Sequence, residues 1–331
     1  MKPPVPSPQS PVPKGAAPVQ PGETSPRISL SHKAEYAAVR AVVGALGTLD
    51  WRRAGNVGAR IGAFGYQPLG IRRRVVERQI AAAFPELDEP AVRRLARAAY
   101  EHLGRSSIEA AILPKLGPSA VLDLFDGADN YEVVEAAMAK KRGLIFVTGH
   151  LGNWELAGAY VAARGVPLDA IARRMSNPLF DRYLTETRSR IGMHVVYDAE
   201  AVRRTPRSLR EGRGVAFLAD QGVLGLASTF VPFFGRPAKT PRGPAVFALR
   251  LDVPVVFGVA VRQPSGKYRL VFEPVEVTDT GNRDHDVDTI VARYTAILEK
   301  WVRRYPEQYF WHHRRWRRQP PDTPPELREP T

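Results

Sequence analysis

The chain has 331 residues, 44% of them apolar, and a formal net charge of +14. This length and apolar content can supply a folded domain with a sizeable core. The absence of cysteine excludes a disulfide framework, a thiolate metal site and a thiol nucleophile. The positive charge indicates an anionic partner, such as nucleic acid, an anionic membrane surface, or acidic small molecules and carrier proteins.

Proline-rich composition sets off both ends of the chain. Residues 1–30 hold few large apolar side chains, so they bury too little surface to offset the entropy of ordering, and we expect a disordered tail. Residues 319–331 have a similar composition, and the same expectation applies. A single domain is expected over residues 31–318, with a helical N-terminal part at 31–112 and an α/β core at 113–318.

The helical part begins with an Ala- and Gly-rich stretch at residues 34–49, followed by Trp51, Arg52 and Arg53. This stretch is shorter than the roughly 20 apolar residues that span a bilayer. An aromatic and basic boundary is typical of a membrane interface. Residues 34–66 are therefore either an interfacial helix or an ordinary buried helix, and peripheral attachment to a membrane is the preferred interpretation.

Helical periodicity continues over residues 71–112, where Pro85 separates two helices and Asp88 is a candidate N-cap for the second. From residue 143 the pattern changes to short β-branched and aromatic runs, with helical patterns between the first several. This alternation predicts an α/β fold with a mostly parallel central sheet flanked by helices, which can include antiparallel edge strands. An amphipathic helix at 288–305 closes the domain.

The stretch FVTGHLGNWELAG at residues 146–158 is the first candidate site. It places His150 directly after a predicted strand and Glu155 in the first turn of a helix that is expected to begin near Asn153. Ligands gather at the carboxyl ends of strands in an open α/β sheet, and histidine suits proton transfer near neutral pH. Two interpretations stay open: a His–Glu pair presented to a substrate, or a loop histidine followed by a favourable helix-start charge.

GHLGNWE resembles the H-x4-D/E motif, in its GHxxNWE form, of the late acyltransferases of lipid A biosynthesis (lauroyl and myristoyl type), within the lysophospholipid acyltransferase-like superfamily. The resemblance covers roughly residues 34–317, and upstream RRVVERQIAAAFPEL is similar to the family's helix before its catalytic part. The later blocks follow in the family's order: RRMSNPLFDRYLTETRSRIG at 173–192, LADQG at 218–222, FVPFFGRPAKTPRGPAVFALR at 230–250 and PEQYFWHHRRW at 306–316.

The resemblance implies transfer of a fatty acyl chain from an acyl-thioester, usually on acyl carrier protein, to a hydroxyl of a lipid A precursor or similar glycolipid. By the same resemblance the reaction is expected at the cytoplasmic face of the inner membrane, and it is expected to need no metal or cofactor. His150 would act as the general base and Glu155 would orient it. The predicted contacts to the oxyanion, to phosphate or to substrate are Arg173, Arg188, Asn153, Asp220 and Gln221.

Several of these residues keep a structural alternative. Asn177 is interpreted as a helix cap, and Asp220 and Gln221 either contact the acceptor sugar or satisfy loop N–H groups. Phe230, Phe233 and Phe234 belong either to an acyl-chain pocket or to the core, and Lys239, Thr240 and Arg242 are a candidate phosphate-binding loop. The segment QYFWHHRRWRR is either a patch that contacts membrane or phosphate, or the end of a surface helix. His312 and His313 within it are interpreted as structural.

The sequence is also compatible with two other functions. Related acyltransferases act on other glycolipids, including phosphatidylinositol mannosides, and the motifs do not exclude such an acceptor. The charge of +14 also fits a nucleic-acid-binding protein, which would bind tightly and with a strong salt dependence. The arginines are spread over many predicted elements and match no recognised nucleic-acid motif, so no nucleic-acid partner is expected.

Overall fold

The computed structural model describes residues 28–222 and 227–330, so the predicted N-terminal tail lies almost entirely outside the described residues. The helices described are α1 (Leu30–Leu46), α2 (Trp51–Tyr66), α3 (Arg73–Ala83), α4 (Glu89–Ile112), α5 (Pro118–Leu122), α6 (Tyr131–Ala139), α7 (Trp154–Ala163), α8 (Pro178–Arg190), α9 (Asp198–Arg210), α10 (Gly243–Leu251) and α11 (Arg283–Arg304). The strands described are β1 (Phe125–Asp129), β2 (Leu144–Thr148), β3 (Leu168–Ala172), β4 (Met193–Tyr197), β5 (Gly214–Leu218), β6 (Ser228–Phe233), β7 (Arg236–Pro241), β8 (Val255–Arg262) and β9 (Tyr268–Val275).

The central sheet has seven strands in the order β1-β9-β8-β2-β5-β3-β4. The five strands from β8 to β4 are parallel to one another, whereas β9 is antiparallel to β8 and β1 is parallel to β9. Strands β2 and β8 are buried along nearly their whole length, which explains their continuous apolar runs. The predicted α/β fold with a mostly parallel sheet flanked by helices is confirmed.

Helices cover both faces of the sheet. Ile145 and Val147 of β2 pack on one face in a core that includes buried residues of α3, α4, α10 and α11. Leu144 and Phe146 of the same strand point to the other face, where the core includes residues of α6 and α7. The alternation of side chains along a strand therefore divides the apolar residues between two cores.

The N-terminal part is helical as predicted, with two helices, α1 and α2, over the stretch predicted at 34–66. Asp50 caps α2 by accepting a hydrogen bond from Arg53 N–H at 2.9 Å, and Asp88 caps α4 by accepting from Ala91 N–H at 2.8 Å, which confirms the predicted cap. Helix α2 packs on α4 so closely that a Cβ on Gly62 would collide with the Tyr100 carbonyl. Within the ranges described, no helix is both long enough and apolar enough to cross a membrane.

Two segments differ from the sequence-based expectation. Residues 228–241 form the β6–β7 hairpin, which was not predicted; Phe233 and Phe234 lie in the core at 0% and 7% exposure, as one of their two alternatives had it, while Phe230 is 42% exposed. Residues 319–330 pack on the domain, because Thr323 is only 4% exposed and Glu329 pairs with Arg314 at 2.6 Å. The proline-rich C-terminal segment gains its order from these contacts with the folded body.

Candidate active site

The candidate site lies where three neighbouring parallel strands end. His150 follows β2, Asp220 and Gln221 follow β5, and Arg173 follows β3. Since β5 lies between β2 and β3, these ends meet at one edge of the sheet. The Ala219 N–H donates to the Thr148 carbonyl at 2.9 Å, so the two chains stay paired up to the site.

Asp220 holds His150 through two hydrogen bonds. The ring nitrogen Nδ1 lies 2.7 Å from Asp220 Oδ1, and the main-chain N–H of His150 donates to Oδ2 at 2.9 Å. The Asp220 side chain is 2% exposed, whereas that of His150 is 21% exposed. The carboxylate is therefore buried behind an imidazole that keeps access to solvent and substrate.

The environment keeps Asp220 ionised. Burial by itself raises the pKa of this carboxyl, but the charge of His150, the hydrogen bonds from His150 and the charge of Arg315 outweigh burial and hold the pKa below its ordinary value. An ionised carboxylate accepts hydrogen bonds only, so Nδ1 must carry the proton. In the neutral form of the ring, the other nitrogen, Nε2, is then the proton acceptor that a general base requires.

Glu155, the partner predicted for His150, contacts Arg188 instead. Arg188 Nε donates to Glu155 Oε2 at 3.1 Å and Nη2 donates to Oε1 at 2.5 Å, a two-pronged arrangement between α7 and α8. Both side chains are less than one-fifth exposed. The orienting contact that the sequence assigned to Glu155 is thus made by Asp220, while Glu155 fixes an arginine beside the site.

An apolar pocket of about 490 Å³ opens next to His150. Its polar rim includes Trp154, Arg173, Arg188 and Gln221. The apolar lining comes from β3, β4, α8, α9, β5 and α10 and includes Ile171, Leu184, Val195, Ala201, Phe217 and Phe247. A pocket of this size with a mostly apolar wall and a few polar groups suits an apolar ligand that carries a reactive polar group.

The turn after β2 is anchored from two sides. Gly152 has φ +65°, and a Cβ there would collide with the Ala260 carbonyl, so the turn requires glycine. Its N–H donates to the Gln308 carbonyl at 3.0 Å, and the Phe310 N–H donates to the His150 carbonyl at 2.9 Å. These contacts fix the backbone that carries His150.

Asn153 is a structural residue in this arrangement. It is 2% exposed, caps α7 by accepting from Leu156 N–H at 3.0 Å, and donates to Glu109 at 3.2 Å. Glu109 is itself fully buried and pairs with Arg262 at 2.8 Å. Because both polar atoms of Asn153 are engaged inside the protein, its predicted contact with substrate is not supported by its position.

Of the other predicted residues, some line the pocket and others have structural roles. Arg173, Arg188 and Gln221 line the pocket, where a contact with substrate is possible, and Gln221 Nε2 lies 3.5 Å from His150 Nε2. Asn177 caps α8 by accepting from Leu179 N–H at 3.1 Å, as predicted. Asp220 accepts the main-chain N–H of His150 at 2.9 Å, which is the second of the two roles given for it, and its side chain faces His150 rather than the pocket.

The comparison with known families decides the identity. The profile described as bacterial lipid A biosynthesis acyltransferase matches residues 25–318. The chain belongs to this family. This agrees with the resemblance carried by the motif at His150 and the later blocks, and it identifies the protein as one of a family of enzymes that transfer acyl groups.

Curated relatives of this acyltransferase share about a quarter of its sequence. The lipid A biosynthesis lauroyltransferase of Escherichia coli (strain K12) is 27% identical over 81% of this chain and 87% of its own length. The lipid A biosynthesis palmitoleoyltransferase of the same strain is 27% identical over 80% of this chain and 85% of its own length. A phosphatidylinositol mannoside acyltransferase of Mycobacterium tuberculosis (strain CDC 1551 / Oshkosh) is 28% identical over 68% and 72%.

Sequence reasoning missed three features of this acyltransferase's site. Asp220 was noted as a polar residue at a strand end, but its contact with His150 depends on strand order. Arg315 is 3% exposed and close enough to influence Asp220, although its motif suggested a surface. Glu109 lies 44 residues before Asn153, from which it accepts a hydrogen bond, and its position on the mostly apolar face of α4 is the one sequence signal of its burial.

Proposed function

We propose that this protein transfers a fatty acyl chain from an acyl-thioester, carried by acyl carrier protein, to a hydroxyl of a lipid A precursor or similar glycolipid at the cytoplasmic face of the inner membrane. The observation that carries the proposal is His150, held by Asp220 at 2.7 Å, at the mouth of an apolar pocket of about 490 Å³. A base next to an apolar cavity suits a reaction between a lipid hydroxyl and a fatty acyl ester.

In the proposed mechanism His150 acts first as a general base and then as a general acid. His150 Nε2 accepts the proton of the acceptor hydroxyl as its oxygen attacks the thioester carbonyl, and a tetrahedral oxyanion forms. The intermediate collapses, the carbon–sulfur bond breaks, and the proton on Nε2 goes to the departing thiolate. Asp220 stabilises the imidazolium that exists between these steps, so no covalent enzyme intermediate is needed.

The oxyanion requires a positive or N–H donor near the reacting carbonyl. Arg188 is held in place by two hydrogen bonds from its guanidinium to Glu155 and borders the pocket beside His150. Arg173 lines the same pocket at the end of β3. We assign stabilisation of the oxyanion to Arg188 first and to Arg173 second, because a guanidinium fixed before the reaction needs little reorganisation.

Attachment to the membrane is assigned to the N-terminal helices. Among the described residues, nine of the twelve exposed large apolar side chains lie between positions 28 and 71. They are Ile28, Leu30, Val39, Val42, Leu49, Ile61, Phe64, Leu69 and Ile71. Apolar side chains next to basic ones favour the interface of an anionic bilayer. Loss of binding to anionic vesicles in Ile61→Ser/Phe64→Ser, with the melting temperature kept, is the expected result, and unchanged binding would contradict this assignment.

A transfer assay tests the chemistry. Purified wild-type protein and His150→Ala are given acyl carrier protein loaded with a fatty acid and a lipid A precursor in mixed micelles, and the product is identified by mass spectrometry. We expect the wild type to form an ester one acyl chain heavier and His150→Ala to lose at least about 10²-fold in rate, the smallest contribution typical of a general base. Equal rates in both proteins would refute the assignment.

A second acceptor is tested in the same format. The relatives include a phosphatidylinositol mannoside acyltransferase at 28% identity, close to the 27% of the lipid A enzymes. Parallel reactions replace the lipid A precursor by a phosphatidylinositol mannoside, or the loaded carrier protein by acyl-coenzyme A. The pair of substrates that gives product identifies the acceptor and the donor. Product from the mannoside alone would replace the lipid A precursor as the assigned acceptor.

A further inference from the structure

A second cleft, of about 300 Å³, lies beside the C-terminal segment and differs in character from the apolar pocket. Six cationic side chains line it, and none of the described residues that line it is acidic. They are Arg72, Lys239, Arg314, Arg315, Arg317 and Arg318. A concave site with one sign of charge concentrates counter-ions of the opposite sign.

Neutralisation from within the protein is small. In the part of the chain that the structure describes, Arg314 is the one of these six in an ion pair, with Glu329 at 2.6 Å. Arg315 also interacts with the charge of Asp220. Six positive charges in one cleft repel each other, so the folded protein gains from an anion that binds among them.

Polar atoms in the cleft lack partners inside the described structure. Arg315 is 3% exposed and hydrogen-bonds the Lys239 carbonyl and Thr240 Oγ1, both at 2.6 Å, but its Nε is buried without a partner. The Nδ1 atoms of His312 and His313, which also line the cleft, are buried without a partner too. The Arg315 Nε–H is always a donor, and a buried donor without a partner destabilises a protein by about 1–3 kcal/mol, which favours a ligand that accepts hydrogen bonds.

The backbone at one wall of the cleft is strained. Arg72 has φ +57° at the start of α3, a left-handed conformation that a non-glycine residue seldom adopts. Such a conformation persists only where the surrounding structure holds it in place, and functional sites are one location where this occurs. Here it places an arginine at the edge of the cationic cleft.

The cleft adjoins the candidate active site. The Phe310 ring lies 5.8 Å from the His150 ring on one side and stacks on the His312 ring at 5.3 Å on the other. Gln221 lines the apolar pocket and the next residue, Gly222, lines the cleft. A molecule that reacts at His150 can therefore place an anionic group in the cleft while the fatty chain occupies the pocket.

We propose that this cleft, bounded by Arg72, Lys239 and residues 312–318, is a phosphate-ester site that binds the phosphate of one of the two substrates. The inference rests on the proposed function for the identity of those substrates. Guanidinium groups match the geometry of phosphate oxygens, and several charges at one place suit a doubly charged group. The phosphate belongs either to the headgroup of the acceptor glycolipid or to the phosphopantetheine arm of the donor carrier protein.

Binding of two soluble probes separates these sources without any turnover. Glucosamine 1-phosphate represents the acceptor headgroup and 4′-phosphopantetheine represents the donor arm. Each is titrated into the full-length protein by calorimetry at low and at physiological salt. The test variant is Arg317→Gln/Arg318→Gln, at the solvent side of the cleft, and the control is Arg94→Gln/Arg203→Gln, which removes the same charge from exposed helical positions outside it.

We expect the wild type to bind one probe and the test variant to bind it at least about tenfold more weakly, as loss of charge-assisted hydrogen bonds requires. The control should bind as the wild type does, and the probe that is bound identifies the source. Failure of the wild type to bind either probe, undiminished binding in the test variant, or equal weakening in the control would overturn the proposal. His150→Gln should bind the probe normally and lose acyl transfer. Acyl transfer that survives in this variant would refute the mechanism at His150 and leave the cleft assignment standing, because the binding test does not depend on turnover.

Discussion

Asp220→Asn tests the site most directly, because it changes one buried atom and almost no volume. Asp220 accepts two hydrogen bonds from His150, one from the ring at 2.7 Å and one from the main chain at 2.9 Å. Asparagine has one acceptor oxygen and one donor NH2 group, so it can accept only one of them in this geometry. If the oxygen keeps the main-chain N–H, the NH2 group faces Nδ1 and the proton moves to Nε2.

This change of tautomer removes the proton acceptor and also the charge that stabilises the imidazolium. The equivalent change in a serine protease triad lowers kcat by about 10⁴, and a general base contributes about 10²–10⁴ elsewhere. We therefore expect kcat to fall by about 10²–10⁴, which is roughly 3–5 kcal/mol of transition-state stabilisation. The KM for the acyl donor should change little, because Asp220 is buried behind the imidazole.

Steady-state kinetics with loaded acyl carrier protein and a lipid A precursor measures both constants. The matched control is Asp252→Asn, the same substitution at a side chain that is 83% exposed and lies at the end of α10. Thermal melting of each variant checks that it is folded. A folded Asp220→Asn protein that keeps kcat within about threefold of the wild type would refute the reasoning, since so small an effect is below that of any general base.

Three further predictions concern stability and the pocket. Glu109→Ala should lower the free energy of unfolding by about 3–5 kcal/mol, because it leaves the largely buried Arg262 without its ion-pair partner, whereas Glu89→Ala at the surface should have little effect in urea unfolding. Burial and a neighbouring arginine lower the pKa of His312 from 6.5 to about 4, so between these values the unfolded chain binds a proton that the native protein does not. The free energy of unfolding should therefore fall as the pH drops from 6.5 towards 4, by up to about 1.4 kcal/mol per pH unit for this group. In unfolding experiments over this pH range, His312→Asn should reduce the dependence of stability on pH, whereas His285→Asn, at an exposed position, should not. Ala201→Phe should fill part of the apolar pocket and shift the product to shorter acyl chains, as read by mass spectrometry, and unchanged chain length would contradict the pocket assignment.

The elements that the sequence predicted well are those with local signals. The apolar runs at β2, β3, β4, β5, β8 and β9 are strands, and Asp88 caps α4 through its own side chain. Strand β1 was not predicted, because FDGAD contains one large apolar residue. Its pairing with β9 is also irregular. The β6–β7 hairpin was missed because Pro232 and Pro237 lie inside it, and proline within a run argues against a strand.

The membership of the site was predictable, but its pairing was not. His150, Arg188 and Gln221 lie close to one another in the structure, as strand ends and one nearby helix allow. The contact between His150 and Asp220 joins residues 70 apart in the chain and requires β2 and β5 to be neighbours. Strand order depends on how the whole sheet packs, so no local pattern distinguishes Asp220 from Glu155 as the partner of the histidine.

The H-x4-E spacing acquires a different physical meaning in this arrangement. His150 lies in the turn, Asn153 caps α7, and Glu155 follows as its second residue, from which it reaches Arg188 on α8. The spacing therefore fixes the distance between a base and a cation rather than joining a base to an acid. If Glu155 acts through Arg188, then Arg188→Ala should lower kcat by about 10², as loss of one oxyanion donor does.

Glu155→Gln should produce part of the same loss, and the double variant should be little worse than Arg188→Ala alone, because the two residues act as one unit. Glu155→Gln combined with Asp220→Asn should instead show losses that multiply, since these carboxylates hold different groups. Single-turnover rates of the three single and two double variants, measured with the wild type at saturating donor, provide the two cycles. Strong coupling between Glu155 and Asp220, with none between Glu155 and Arg188, would show that the glutamate serves the histidine after all.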